Sequence, residues 1–117
     1  ENLSGMEELI QLPIKKCVYA ENIYWVFGIV ITDKITARSA NEVMSELKNY
    51  GIGTRPFFWP LHKQPVLIRS KLVKNESFPV AENISQKGFY IPSGLGLNEE
   101  ELKRVSDGIK AVLFKYT

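Results

Sequence analysis

Residues 51–65 read Gly51-Ile52-Gly53-Thr54-Arg55-Pro56-Phe57-Phe58-Trp59-Pro60-Leu61-His62-Lys63-Gln64-Pro65, a run too dense in glycine, proline and aromatics to continue a helix or a sheet ladder. Regular structure is interrupted there, so any fold for this chain must be built from elements on either side. Upstream, residues 24–31 (Tyr24-Trp25-Val26-Phe27-Gly28-Ile29-Val30-Ile31) are aromatic and β-branched, and the turn-prone Thr32-Asp33-Lys34 follows. This pattern predicts a central, well-buried strand.

Ser39 and Glu42 have capping-box spacing, and Ala40, Val43, Met44 and Leu47 then recur on one helical face until Gly51. A helix of about three turns is expected. Beyond the interrupted run, Pro79 suits a first helical position, with Val80, Ala81 and Ile84 forming a short apolar stripe before Gly88. Phe89-Tyr90-Ile91 predicts a short strand, and Pro92-Ser93-Gly94 turns the chain towards Asn98. Asn98 caps a final helix with Glu101 three residues on, and Leu102, Val105, Ile109, Val112, Leu113 and Tyr116 hold its apolar period. Gly108 inside that helix costs about 1 kcal/mol relative to alanine. The order strand, helix, irregular segment, helix, strand, helix describes an α+β domain, a small, mostly antiparallel sheet with helices packed on one face.

The 117 residues are 44% hydrophobic and 24% charged, proportions of one compact domain. A formal charge of +2, with the basic residues scattered, points away from nucleic acid. The longest apolar stretch, residues 23–31, falls short of the roughly 20 residues that cross a bilayer, so no membrane partner is expected. The first residues carry neither the basic nor the apolar region of a signal peptide, and no methionine opens the chain, as expected of a processed or excised piece. Cys17 is the single cysteine, which excludes an internal disulfide and a multi-cysteine metal site and suits a cytoplasmic setting. It reads as an unremarkable buried or surface thiol. His62 is the single histidine, so neither a histidine metal cluster nor a Ser-His-Asp triad can be assembled; no metal ligand and no catalytic residue is expected within this chain.

Four residues are candidates for substrate binding. Arg55, just beyond the glycine pair, can grip a phosphate or carboxylate with two parallel hydrogen bonds, although a surface salt bridge is the commoner fate of an arginine. His62 reads, on the residues alone, as a structural histidine, and becomes a binding candidate only through the resemblance given below. Phe57 and Trp59, with Phe58 between them, supply either apolar walls for a sugar or nucleoside or core packing, and Pro56 and Pro60 stiffen the loop that carries them. Ser93-Gly94-Leu95-Gly96 lacks the spacing of a phosphate loop and reads as a turn. Of the lysines, Lys63 beside His62 is the least implausible for a chemical role, and none sits in a context that activates an amine.

Taken together, the aromatic strand Tyr24-Trp25-Val26-Phe27, Gly51-Ile52-Gly53-Thr54-Arg55, Pro60-Leu61-His62, Pro79-Val80-Ala81-Glu82-Asn83-Ile84-Ser85 and Ile91-Pro92-Ser93-Gly94, followed by an acidic-capped helix, resemble the C-terminal region of the DegT/DnrJ/EryC1/StrS family of sugar aminotransferases. Leu9-Ile10-Gln11-Leu12-Pro13 resembles that family's link between its large and small domains. The resemblance implies a linking segment over residues 1–22 and the small C-terminal domain of a fold-type-I aminotransferase over 23–117. It also implies pyridoxal phosphate held by a large domain outside this chain, a lysine of that domain as the Schiff-base residue, and a homodimer. The reaction implied is transfer of an amino group, usually from glutamate, to a keto-sugar nucleotide, with Arg55 and His62 facing that substrate. A stand-alone or regulatory binding module that kept the fold and lost catalysis is the alternative.

Overall fold

In the computed structural model, which describes residues 2–34, 39–74 and 76–116, a four-stranded antiparallel sheet has the spatial order Ile10–Gln11, Phe27–Ile31, Gly88–Ile91, Arg55–Pro56. The strands are β1 (Ile10–Gln11), β4 (Phe27–Ile31), β5 (Arg55–Pro56) and β6 (Gly88–Ile91), and a separate hairpin is made by β2 (Lys16–Cys17) and β3 (Ala20–Glu21). The helices are α1 (Ala40–Asn49), α2 (Pro65–Arg69), α3 (Pro79–Lys87) and α4 (Glu99–Leu113), with 3₁₀ turns over Leu61–Lys63 and Phe114–Tyr116. This is the α+β arrangement that the element order predicts.

The strands are short because each is ended by local chemistry. Tyr24 takes a left-handed φ of 50°, and its N–H donates to Asn22 Oδ1 at 2.7 Å, so the ladder begins only at Phe27. The expected buried strand over 24–31 is therefore corrected at its start: Trp25 stands 76% exposed, outside the sheet. From Phe27 the alternation is regular. Ile29 and Ile31 of β4, with Phe89 and Ile91 of β6, point to one face. Gly28, Gly88 and Tyr90 lie on the other.

α1 and α4 cover the first face. Both begin in full capping boxes, Ser39 with Glu42 and Asn98 with Glu101, each box contributing about 1 kcal/mol. Val43 and Leu47 of α1 meet Ile109, Val112 and Leu113 of α4 in the same core as Ile29 and Phe89. Each such fully buried side chain stabilises by roughly 1.5–3 kcal/mol through removal of apolar area from water. Gly51, at φ 70°, ends α1 in the left-handed conformation that only glycine takes without strain. Leu102 breaks the expected stripe of α4 by remaining partly exposed at its first turn, and the side chain of Tyr116 lies outside the described residues.

Leu3, Met6, Leu9 and Ile10 also belong to this core, and Ile10 pairs with Ile31, so residues 3–11 pack onto the sheet. The remainder forms the β2–β3 hairpin, where Cys17 is exposed and Lys16 pairs with Glu21 at 3.5 Å. α3 departs from expectation: Val80, Ala81 and Ile84 are all exposed, because no described element lies over that side of the helix. α3 is instead fastened at its ends, by Glu82 near its start and by the Lys87–Asp33 ion pair at its finish.

Candidate functional site

The face of the sheet opposite α1 and α4 and the loop that crosses it bring the candidate residues into two neighbouring groups. The first is a register row. Arg55 of β5 pairs with Tyr90 of β6, which pairs with Gly28 of β4, so the three residues lie side by side on the face opposite α1 and α4. Arg55 is exposed and makes no ion pair among the described residues. Its guanidinium is thus available to an anion.

Phe57 follows and turns back over the same face. Its ring lies against Gly28 and Gly88, where a β-carbon on either glycine would approach it to 2.8 and 2.5 Å, and its centroid is 4.6 Å from that of Tyr90. Phe58 stands edge-on to Tyr90 at 6.1 Å and is 77% exposed. Phe57 therefore packs as a plug between two strands, while Phe58 and the half-buried Tyr90 keep aromatic surface open beside Arg55.

The second group is built on residues 59–64. Trp59 donates its indole N–H to the Lys63 carbonyl at 3.0 Å, and the Gln64 side chain donates to the Trp59 carbonyl at 3.1 Å, so the loop closes on itself around the 3₁₀ turn. His62 and Lys63 then both reach Glu82 of α3: His62 Nε2 lies 3.0 Å from Oε1 and Lys63 Nζ donates to Oε2 at 2.7 Å. The Phe78 N–H donates to Oε1 at 3.1 Å. Lys63 first, then the Phe78 amide, then His62 hold the Glu82 carboxyl down to about 2. Phe78 also packs its ring 4.8 Å from the imidazole.

Arg55 and Phe57 are thus brought together on the sheet face, and Trp59 and His62 in the adjoining loop. Glu82 and Tyr90 are the participants that sequence reasoning did not single out. For Glu82 the only signal is an acidic residue in the first turn of a proline-started helix, which reads equally well as compensation of the helix dipole. A separate cleft of about 450 Å³ opens on the α4 side of the sheet, between Leu12, the stacked rings of Tyr24 and Phe27, Pro92 and Leu102, and contains none of the four candidates.

The residues present do not make a pyridoxal-phosphate site by themselves. None of the lysines is buried, and Lys63 is held by Glu82. Schiff-base chemistry needs an amine that is desolvated or otherwise held neutral. Among the described residues no three His, Cys, Asp or Glu side chains gather as metal ligands, and no helix is long and apolar enough to cross a membrane.

Residues 1–110 match the DegT/DnrJ/EryC1/StrS aminotransferase family. The chain is 30% identical over 87 residues to a GDP-perosamine synthase of Vibrio cholerae, covering 74% of this chain and 23% of that protein. It is 29% identical over 86 residues to the GDP-perosamine synthase of Escherichia coli O157:H7, covering 74% and 22%. The chain therefore spans about a quarter of the length of the curated relatives it matches. In fold it is similar to a sugar aminotransferase of Streptococcus pneumoniae in its apo form, with a TM-score of 0.80 at 18% identity over 98% of this chain and 28% of that one. The aminotransferase TlmJ from Streptoalloteichus hindustanus gives 0.79 at 17% identity, over 97% and 28%.

Proposed function

The chain belongs to the DegT/DnrJ/EryC1/StrS aminotransferase family, and from that premise we propose that it is the small C-terminal domain of a pyridoxal-phosphate-dependent enzyme that moves an amino group from an amino acid, glutamate, to a keto-sugar nucleotide. The observation that carries the reading is the coincidence of the family match over residues 1–110 with an exposed arginine, on the sheet face opposite α1 and α4, that makes no ion pair among the described residues. The names of the relatives, GDP-perosamine synthases, favour a guanosine diphosphate sugar as the substrate class.

In this reading the cofactor belongs to a large domain outside this chain, where it supplies the electron sink for amino transfer. This chain does the binding. Arg55 takes the phosphate or a carboxylate of the substrate in a charge-assisted, two-pronged contact, which its position in a strand holds in a fixed direction. His62 and Trp59 border the sugar nucleotide from the closed 59–64 loop, and the aromatic surface that Phe57 supports gives it an apolar wall. Residues 1–22 lead in from the large domain and residues 23–117 are the domain proper, with Leu3, Met6, Leu9 and Ile10 anchoring the linker. The enzyme acts as a homodimer in the cytoplasm.

The test compares this chain with the full-length protein that contains it. The full-length protein is expected to bind pyridoxal phosphate as a borohydride-reducible Schiff base with visible absorbance, and to convert a keto-sugar nucleotide in the presence of glutamate. This chain alone is expected to do neither. A full-length protein that binds no cofactor would leave a regulatory binding module in its place.

A further inference from the structure

Glu82 decides which nitrogen of His62 carries a proton. Its Oε1 faces Nε2 at 3.0 Å and also accepts from the Phe78 amide, while Oε2 accepts from Lys63. A carboxylate held ionised by such donors is an acceptor only. Nε2 must therefore be the protonated nitrogen, because an unprotonated Nε2 would set a lone pair against an anion. In neutral imidazole the second nitrogen is then an acceptor. No donor among the described residues reaches Nδ1. The ring cannot readily turn to exchange the two: its side chain is only 11% exposed, Phe78 packs against it, and the loop beneath is closed by Trp59 and Gln64.

We propose that Glu82 is the positioning residue of His62: by accepting from Nε2–H it presents Nδ1 as a hydrogen-bond acceptor, so that His62 recognises a hydroxyl of the sugar while Arg55 recognises the anionic part of the same ligand. The recognition half of this rests on the reading above that His62 borders the sugar-nucleotide site. The positioning half does not. A glutamate that merely fastened the 59–64 loop to α3 would be indifferent to the state of the imidazole, and this separates the two roles by experiment.

His62 is the single histidine, so a ¹⁵N-histidine-labelled sample of the 117-residue chain gives one imidazole spin system. Two-bond ¹H–¹⁵N spectra, followed upward in pH to the neutral ring, are expected to show a protonated Nε2, an unprotonated Nδ1 and a solvent-protected Nε2–H. Glu82→Gln, whose amide carbonyl still accepts, is expected to keep that pattern, and Glu82→Leu to lose the protection and mix the tautomers. A protonated Nδ1 in the unmodified chain overturns the proposal, and that result does not depend on how any variant folds. So does a Glu82→Leu spectrum identical to the original. In the full-length protein, Glu82→Leu and His62→Ala are both expected to raise KM for the keto-sugar nucleotide about tenfold with kcat little changed, and Glu82→Gln to restore it. If the spectra are as expected but KM moves in neither variant, the placement of His62 in the sugar site fails, and hydroxyl recognition with it.

Discussion

The ring of Phe57 occupies the space that a side chain on Gly28 would need, with its Cζ 2.8 Å from where that β-carbon would stand. Gly88 in the neighbouring strand leaves room for the same ring. The two glycines are thus a cradle that lets the loop after β5 lie flat on the sheet and hold Arg55 beside Tyr90. Gly28→Val is expected to destabilise the domain by about 1–3 kcal/mol through overpacking. Phe57→Ala should absorb most of that penalty in the double variant, because the two sites share one space. Chemical denaturation of the four members of the cycle measures the coupling; additive losses would show that the ring does not depend on the cradle.

Gly108 reverses an expectation drawn from helix propensity. In isolation, alanine there should gain about 1 kcal/mol. A β-carbon at this position would lie 2.3 Å from Cδ1 of the buried Ile52, so α4 comes close to the segment after α1 only because the side chain is missing. Gly108→Ala is expected to lower the unfolding free energy by about 1 kcal/mol, the overpacking exceeding the propensity gain. In an Ile52→Val background, where the obstructing methyl is gone, the same substitution should become neutral or stabilising. The unfolding midpoints of the two pairs give the sign directly.

Legibility in the sequence follows how local the determining interactions are. The two capping boxes, the left-handed Gly51 and the strand at Phe89 are each specified within a few residues, and they stand as the sequence predicts. The start of β4 was not legible, because Asn22 diverts the backbone at Tyr24 through a side-chain hydrogen bond that composition alone does not reveal. The apolar side of α3 misled for the opposite reason: its spacing promises burial that no described part of this chain supplies. In the candidate site, Arg55, Phe57, Trp59 and His62 were visible as residue types in one loop. Glu82 was not, since it stands 20 residues from His62 and its role arises only when α3 folds back beside the loop.

Acid should loosen this clamp. The folded-state pKa of Glu82 is depressed to about 2 from an ordinary value of 4.5, so its contribution to stability is present above the unfolded value and is lost as pH falls from about 4.5 through about 2. Thermal unfolding of the chain across pH 6 to 2 is expected to show a decline in Tm in that window. In Glu82→Gln the decline should be shallower, because the residue no longer binds a proton on unfolding. Identical slopes for the two proteins would mean that the Lys63–His62–Glu82 cluster is not formed in solution.

Arg55 should separate binding from folding. It is exposed, sits in a two-residue edge strand and has no ion pair among the described residues, so its truncation to alanine removes little that holds the domain together. A charge-assisted hydrogen bond to a ligand is worth about 1.5–3 kcal/mol, which corresponds to roughly a ten- to hundred-fold change in affinity. Arg55→Ala in the full-length protein is therefore expected to raise KM for the sugar nucleotide by about that factor while the unfolding free energy changes by less than about 0.5 kcal/mol. Arg55→Lys should recover only part of the loss, because a single ammonium cannot make the paired contact of a guanidinium. A KM unchanged by either substitution would place the anion-binding residue elsewhere, and a large fall in stability would mean that Arg55 supports the sheet and not the substrate.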